Sequence, residues 1–119
     1  MKYYIFPLIL ALCLNVYGEE SEIFKVTAYC SKKCCTGRWS DGYFASGNVC
    51  YIGGVANNFL PFGSKVIIQG KTYTVEDRGS KKYFGTKWQR VKHIDIYFDD
   101  HQEAKEFGVK WLPVKILDE

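Results

Sequence analysis

A chain of 119 residues with a formal charge of +3 has room for one domain around one modest core, and it is too weakly basic to point to nucleic acid as a partner. Aromatic residues make up 17% of it, more than a small core needs, which puts some of them on a binding surface.

The first stretch, MKYYIFPLILALCLNVYG, has one early lysine, an apolar run from Ile5 to Leu14 and small residues at its end. That is the pattern of a secretory signal peptide, residues 1–18, with the domain at 19–119. The run is short for a membrane span, so no span is expected after cleavage. Cys13 lies within the run behind the bulky Leu12, a poor lipoprotein site.

Four cysteines follow: Cys30, Cys34, Cys35 and Cys50. In a small exported domain an even count suggests disulfides. A bond between the neighbours Cys34 and Cys35 would be strained, so each is expected to pair with Cys30 or Cys50. Zinc and free thiols are the rival readings, but the spacing lacks paired C-x2-C knuckles. No metal and no cofactor is expected.

Glu22–Tyr29 alternates as a strand. A long loop of cysteines and glycines runs up to Gly47. Val49–Ala56 reads as an apolar strand whose glycine pair suggests a bulge or close approach. KVIIQ and TYTVED flank a hairpin signal at Gly70-Lys71. Arg78–Lys92 carries six Lys or Arg, no acid, and the aromatics Tyr83, Phe84 and Trp88. After the strand HIDIYF, DDHQEAKEFG predicts a short helix, capped by Asp99 or Asp100 and closed by Gly108. VKWLPVKIL is a last strand, in which Pro113 implies an edge position or an interruption. Six strands and one short helix in this length predict a mainly β fold, a small closed barrel.

The strand His93–Phe98 raises the functional question, because aspartate is depleted in strands. A period of two puts Ile94, Ile96 and Phe98 on the core face. His93, Asp95, Tyr97 and Asp99 fall on the other. Asp99 has a plain alternative role as a helix cap and Asp77 as a partner of Arg78. Asp95, between two core isoleucines, has the weakest such alternative.

From Ala45 onward the chain resembles the 3D domain family, named for three aspartates. The matching segments are ASG (Ala45 to Gly47), GGVANNFLPFGSKVII (Gly53 to Ile68), VEDRG (Val75 to Gly79), HIDIYFDD and EAKEFGVKWLPVKIL. VTAYC, the CC pair and GRWSDG resemble the cysteine-bearing amino-terminal version of that domain. The resemblance implies a six-stranded double-psi β-barrel, the fold of the catalytic core of MltA-type lytic transglycosylases, related to expansins and family-45 endoglucanases. It implies activity on peptidoglycan glycan strands, and it puts the family aspartates at Asp77, Asp95 and Asp99, with Asp95 as the catalytic acid. The chain departs from the family at Phe44, where a threonine is usual, at Arg78-Gly79-Ser80 in place of a TGG segment, in the 18-residue step from Asp77 to Asp95, and in its cysteine spacing.

The expectation is an exported enzyme, secreted or in the cell envelope, that cleaves glycosidic bonds of peptidoglycan as a monomer with an aspartate acid/base. Whether water or the sugar's own 6-hydroxyl attacks is open. Ser46, from the ASG segment, Tyr97, on the polar strand face, and Trp88 and Tyr83, in the basic loop, are the candidate substrate-binding residues. A non-catalytic glycan-binding or wall-loosening module of the expansin kind is the alternative. A secreted defence protein like the barwin barrels is a weaker one.

Overall fold

The computed structural model describes residues 21–30 and 42–117. The expected signal segment, Cys34 and Cys35 lie outside them. The elements are β1 (Ser21–Tyr29), β2 (Gly54–Ala56), β3 (Lys65–Ile68), β4 (Lys71–Asp77), α1 (Lys81–Phe84), β5 (His93–Tyr97), α2 (His101–Phe107) and β6 (Lys110–Leu117). The strands close into a barrel in the order β1-β5-β2-β4-β3-β6. The β1–β5 and β2–β4 pairs are parallel and the other four antiparallel.

Alternation in the strands fills the interior. Phe24, Val26, Val55, Val66, Ile68, Val75, Ile94, Ile96 and Val114, with Leu60 from a loop, form one apolar cluster. Burying side chains of this size contributes about 1.5–3 kcal/mol each. The residues between them in β1 and β5, namely Lys25, Thr27 and Tyr29 and then His93, Asp95 and Tyr97, point outward.

A tight turn fixes the β3–β4 register. Gln69 and Gly70, at φ 51° and 78°, both take the left-handed conformation of a two-residue hairpin turn, so the turn sits one residue earlier than the Gly70-Lys71 signal. Asp100 caps α2 by accepting from the Glu103 amide at 3.2 Å, and Gly108 ends that helix at φ 68°. Pro113 pairs with Ile23 of β1, while the β3 side of β6 begins only at Val114. The proline therefore stands where β6 has run past the end of β3, a local edge where its missing N–H costs no ladder bond.

Two expectations are corrected, and one pair of alternatives is decided. The apolar strand expected over 49–56 is only Gly54–Ala56. Before it the chain is a loop that closes on itself through a Tyr43–Val49 bridge. Among the described residues there are two helices, not one: α1 forms inside the basic segment because Phe84 has a buried seat against the barrel. The cap of α2 is Asp100, which leaves Asp99 exposed beyond β5.

Candidate active site

One irregularity assembles the site. Val75 of β4 is opposite Val55 of β2, but the next pair is Ala56 with Asp77, so β4 carries an extra residue, Glu76. Strict alternation would turn Asp77 inward with Val75. The bulge turns it outward instead. Ala56 also pairs with Asp95, and Asp95 with Thr27. Thr27, Asp95, Ala56 and Asp77 thus lie in one row across four adjacent strands. Ala56 separates the two aspartates in this row, and their backbones are about 10 Å apart at normal strand spacing.

A second hydrophobic cluster, Tyr29, Phe44, Ala56, Phe84 and Tyr97, roofs this outer face. Two segments supply the roof. The first, residues 42–51, is held by the bulge. Glu76 accepts from Asn48 Nδ2 at 2.9 Å and from the Tyr51 hydroxyl at 2.7 Å, and its backbone carbonyl accepts from the Ser46 amide at 3.0 Å. Burial alone would raise the Glu76 carboxyl. The bonds from Tyr51, Ser46 and Asn48, with the charge of Lys65, outweigh it and lower the carboxyl below its ordinary value. The tip of the Phe44 ring from this segment closes on Gly54, where an added Cβ would clash with it.

The second segment contains α1. Asn58 holds it by donating to the Gly79 and Gly85 carbonyls at 3.0 and 2.6 Å and accepting from the Gly79 amide at 2.8 Å. Phe84 packs on Gly79 and stacks on His93, rings 3.9 Å apart and 4° from parallel.

The two aspartates are held differently. Asp77 accepts three hydrogen bonds: the Tyr29 hydroxyl at 2.7 Å and the amides of Ala45 and Arg78 at 2.9 Å each. Burial, with the Asp77 carboxylate beside it, drives the Tyr29 phenol far above its ordinary value, so it stays a donor. Asp95 is half-buried and accepts one bond, from the Thr27 hydroxyl at 2.9 Å. Burial pushes its carboxyl up to about 6; the Thr27 bond opposes this, and the charge of Asp77 adds to it. Thr27 Oγ1 is also 2.9 Å from His93 Nε2, and His93 Nδ1 is 3.3 Å from the Tyr83 carbonyl. His93 is buried, which lowers its basicity. The Tyr83 carbonyl opposes that shift and the nearby Lys25 reinforces it.

The structure thus brings Asp95 and Asp77 together. Asp99 is exposed, with no side-chain hydrogen bond or ion pair among the described residues. Tyr97 is 6% exposed, edge-on to Tyr29 and Phe44, and serves as packing under the roof. The Ser46 hydroxyl accepts from the Asn48 amide at 3.4 Å and bonds Glu76, a role in holding the loop. Tyr83 and Trp88 stand out in solvent, Trp88 81% exposed. Trp88 borders an open hollow of about 450 Å³ lined in part by Asn58, Arg78, Lys81 and Lys87. Neither aspartate lines this hollow; Arg78, the residue after Asp77, is one of its walls.

Sequence reasoning missed Thr27, Tyr29 and Glu76. VTAY and VED carry no sign of which residue faces which way once a bulge intervenes. Arg78 also proves structural: its guanidinium donates to the Asn57 and Leu60 carbonyls at 2.7 and 2.9 Å and lies over Phe62.

Cys30 is buried and Cys50 half-buried, and no disulfide joins the two. Among the described residues no helix is long and apolar enough to cross a membrane, and no group of three or more metal-binding side chains gathers. A scan against models of protein families gives no match, and no curated protein matches the chain.

Proposed function

We propose that this protein is an exported, cell-wall-active enzyme that cleaves glycosidic bonds of peptidoglycan glycan strands, with Asp95 as its acid. The carrying observation is the unequal treatment of two neighbouring carboxyls. Asp77 has three donors. Asp95 has one donor, partial burial and the field of Asp77, and its carboxyl is pushed up to about 6. Environments that drive paired carboxyls apart are how an acid is kept protonated near neutral pH.

In this reading Asp95 gives its proton to the leaving glycosidic oxygen as the bond from C1 breaks. Asp77 supplies negative charge beside the oxocarbenium-like centre. The oxygens of Asp77 are committed to Tyr29, Ala45 and Arg78, so the row holds one carboxyl able to exchange protons. That favours attack on C1 by the sugar's own 6-hydroxyl, whose proton returns to Asp95 and leaves a 1,6-anhydro product. The hollow beside Asp77 suits the rest of the strand. Trp88 offers a flat face for a sugar ring, and Lys81 and Lys87 suit the carboxylates of lactyl groups or peptide stems.

The resemblance to the 3D domain family supports the same reading. The two parallel pairs in an otherwise antiparallel barrel fit the double-psi topology that the resemblance implies.

The test is to incubate the purified domain with peptidoglycan and identify the soluble products by mass spectrometry. Anhydro-muropeptides that vanish with Asp95→Asn are the expected result, and new reducing ends mean that water attacks instead. Binding without release, equal in Asp95→Asn, overturns the enzyme reading in favour of a wall-binding module.

A further inference from the structure

The chain Asp95–Thr27–His93–Tyr83 does not add up as a static set of hydrogen bonds, and its proton count assigns a role to His93. The Tyr83 carbonyl only accepts, so the His93 nitrogen facing it, Nδ1, carries a hydrogen. A neutral imidazole then has a bare Nε2, which needs a donor. The one candidate among the described residues, Thr27, has a single hydroxyl hydrogen and two neighbours at 2.9 Å, His93 Nε2 and Asp95 Oδ1. With Asp95 protonated, every link is made: Asp95 donates to Thr27, Thr27 to Nε2, and Nδ1–H to Tyr83. With Asp95 ionised and His93 neutral, Thr27 turns to the carboxylate and Nε2 is left without a partner in a buried place. Losing the proton from Asp95 therefore breaks a bond two residues away.

We propose that His93 is a positioning residue that acts through Thr27 to keep the proton on Asp95 until a leaving group takes it. The ring is set for this. Phe84 stacked on one face fixes its plane, and the Tyr83 carbonyl fixes its tautomer. In the donor state, Thr27 gives its hydrogen to His93. As Asp95 releases its proton to the glycosidic oxygen, the same hydroxyl swings to the new carboxylate, a bond made only as charge develops. When Asp95 takes a proton back, the hydroxyl returns to Nε2. No proton is gained or lost by His93 in the cycle.

Other charges and titratable groups face this chain. Lys25 on β1 is paired with His93, Tyr29 lies on the same face of β1, Asp77 lies beyond Ala56, and Cys50 belongs to the roof. Lys25 disfavours an imidazolium and Asp77 disfavours a second carboxylate, so both favour the neutral pair.

The catalytic consequence rests on the function proposed above, but the relay itself is read without any turnover. The ionisation of the Asp95 carboxyl is followed by carbon NMR against pH in the wild type, His93→Phe, Thr27→Val, the double variant and Thr27→Ser. His93→Phe keeps a ring stacked on Phe84 and frees Thr27 to serve the carboxylate permanently. The Asp95 midpoint is expected to fall by about one unit. The same substitution is expected to have no effect in the Thr27→Val background, while Thr27→Ser behaves as wild type. An unchanged midpoint in His93→Phe, or an equal shift with and without Thr27, overturns the relay. Nitrogen NMR of the wild-type imidazole is a check that needs no variant to fold. The neutral Nδ1–H form is required at pH 7, and the Nε2–H form overturns the proposal. On glycan strands, the alkaline limb of the pH–rate profile moves down with the Asp95 midpoint. Absence of any turnover defeats the enzymatic reading and leaves the NMR result to decide the relay.

Discussion

The two sides of β5 are a few ångströms apart and obey different rules. Inward, Ile94 and Ile96 join a cluster of purely apolar side chains, and its members are interchangeable in kind if not in shape. Outward, His93, Asp95 and Tyr97 lie under a roof that is also apolar, yet the imidazole of His93 and the carboxyl of Asp95 each have named polar partners. The interior gives the fold its stability. The roofed exterior uses the same exclusion of water to change the chemistry of a carboxyl. Burial on the outside of a closed barrel makes a site because backbone amides and hydroxyls from loops reach it, whereas the sealed interior offers none.

The sharpest way to break the contrast is Asp95→Asn. It is expected to lower the glycan-cleaving rate by about 10³-fold, within the usual range for losing a general acid, while the fold persists by circular dichroism. Phe24→Ala strikes the other side. It empties a fully buried site and is expected to cost about 3–5 kcal/mol in denaturant unfolding, with the Asp95 carboxyl unchanged in the protein that remains folded.

Gly79→Ala tests where the two regions meet. Its new methyl would lie 2.1 Å from the Phe84 ring, displacing the ring that stacks on His93. A loss of about 1–3 kcal/mol in thermal unfolding is expected, together with a changed Asp95 titration.

Acid brings out a difference in sign. Asp95 holds its proton up to about 6 when folded, against 3.8 for the ordinary group. Its favourable contribution is therefore full below about pH 4 and lost as pH rises through 6. Relative to Asp95→Asn, the wild type is expected to lose on the order of 2 kcal/mol between pH 4 and 7 in melting experiments. Glu76, lowered by its donors, works the other way, and its contribution is lost as pH falls. Last and smallest, Trp88→Ala leaves stability within about 0.5 kcal/mol, because the ring is exposed. It is expected to weaken glycan binding about tenfold in a pull-down titration.

Much of this architecture was legible in the chain. Alternation marked β1 and β5, because a strand with one face in the core must repeat every two residues, and the turn signal between KVIIQ and TYTVED marked β3 and β4. Asp95 stood out for the same reason, as an acid where a half-buried strand gives it little to gain. The stretch 49–53 was misread as strand because its apolar residues Val49 and Ile52 lie exposed in a loop, and composition does not distinguish that from a sheet.

The barrel's apolar interior and the oddity of Asp95 are written into the chain, since both follow from local period and propensity. Tertiary structure alone decided that Asp77 faces the same way, through a bulge at Glu76, and that Asp99 does not join it. It alone put Thr27 and His93 in one proton chain with Asp95. These are matters of register between strands distant in sequence, where a shift of one residue reverses every side chain, and no local preference records that choice.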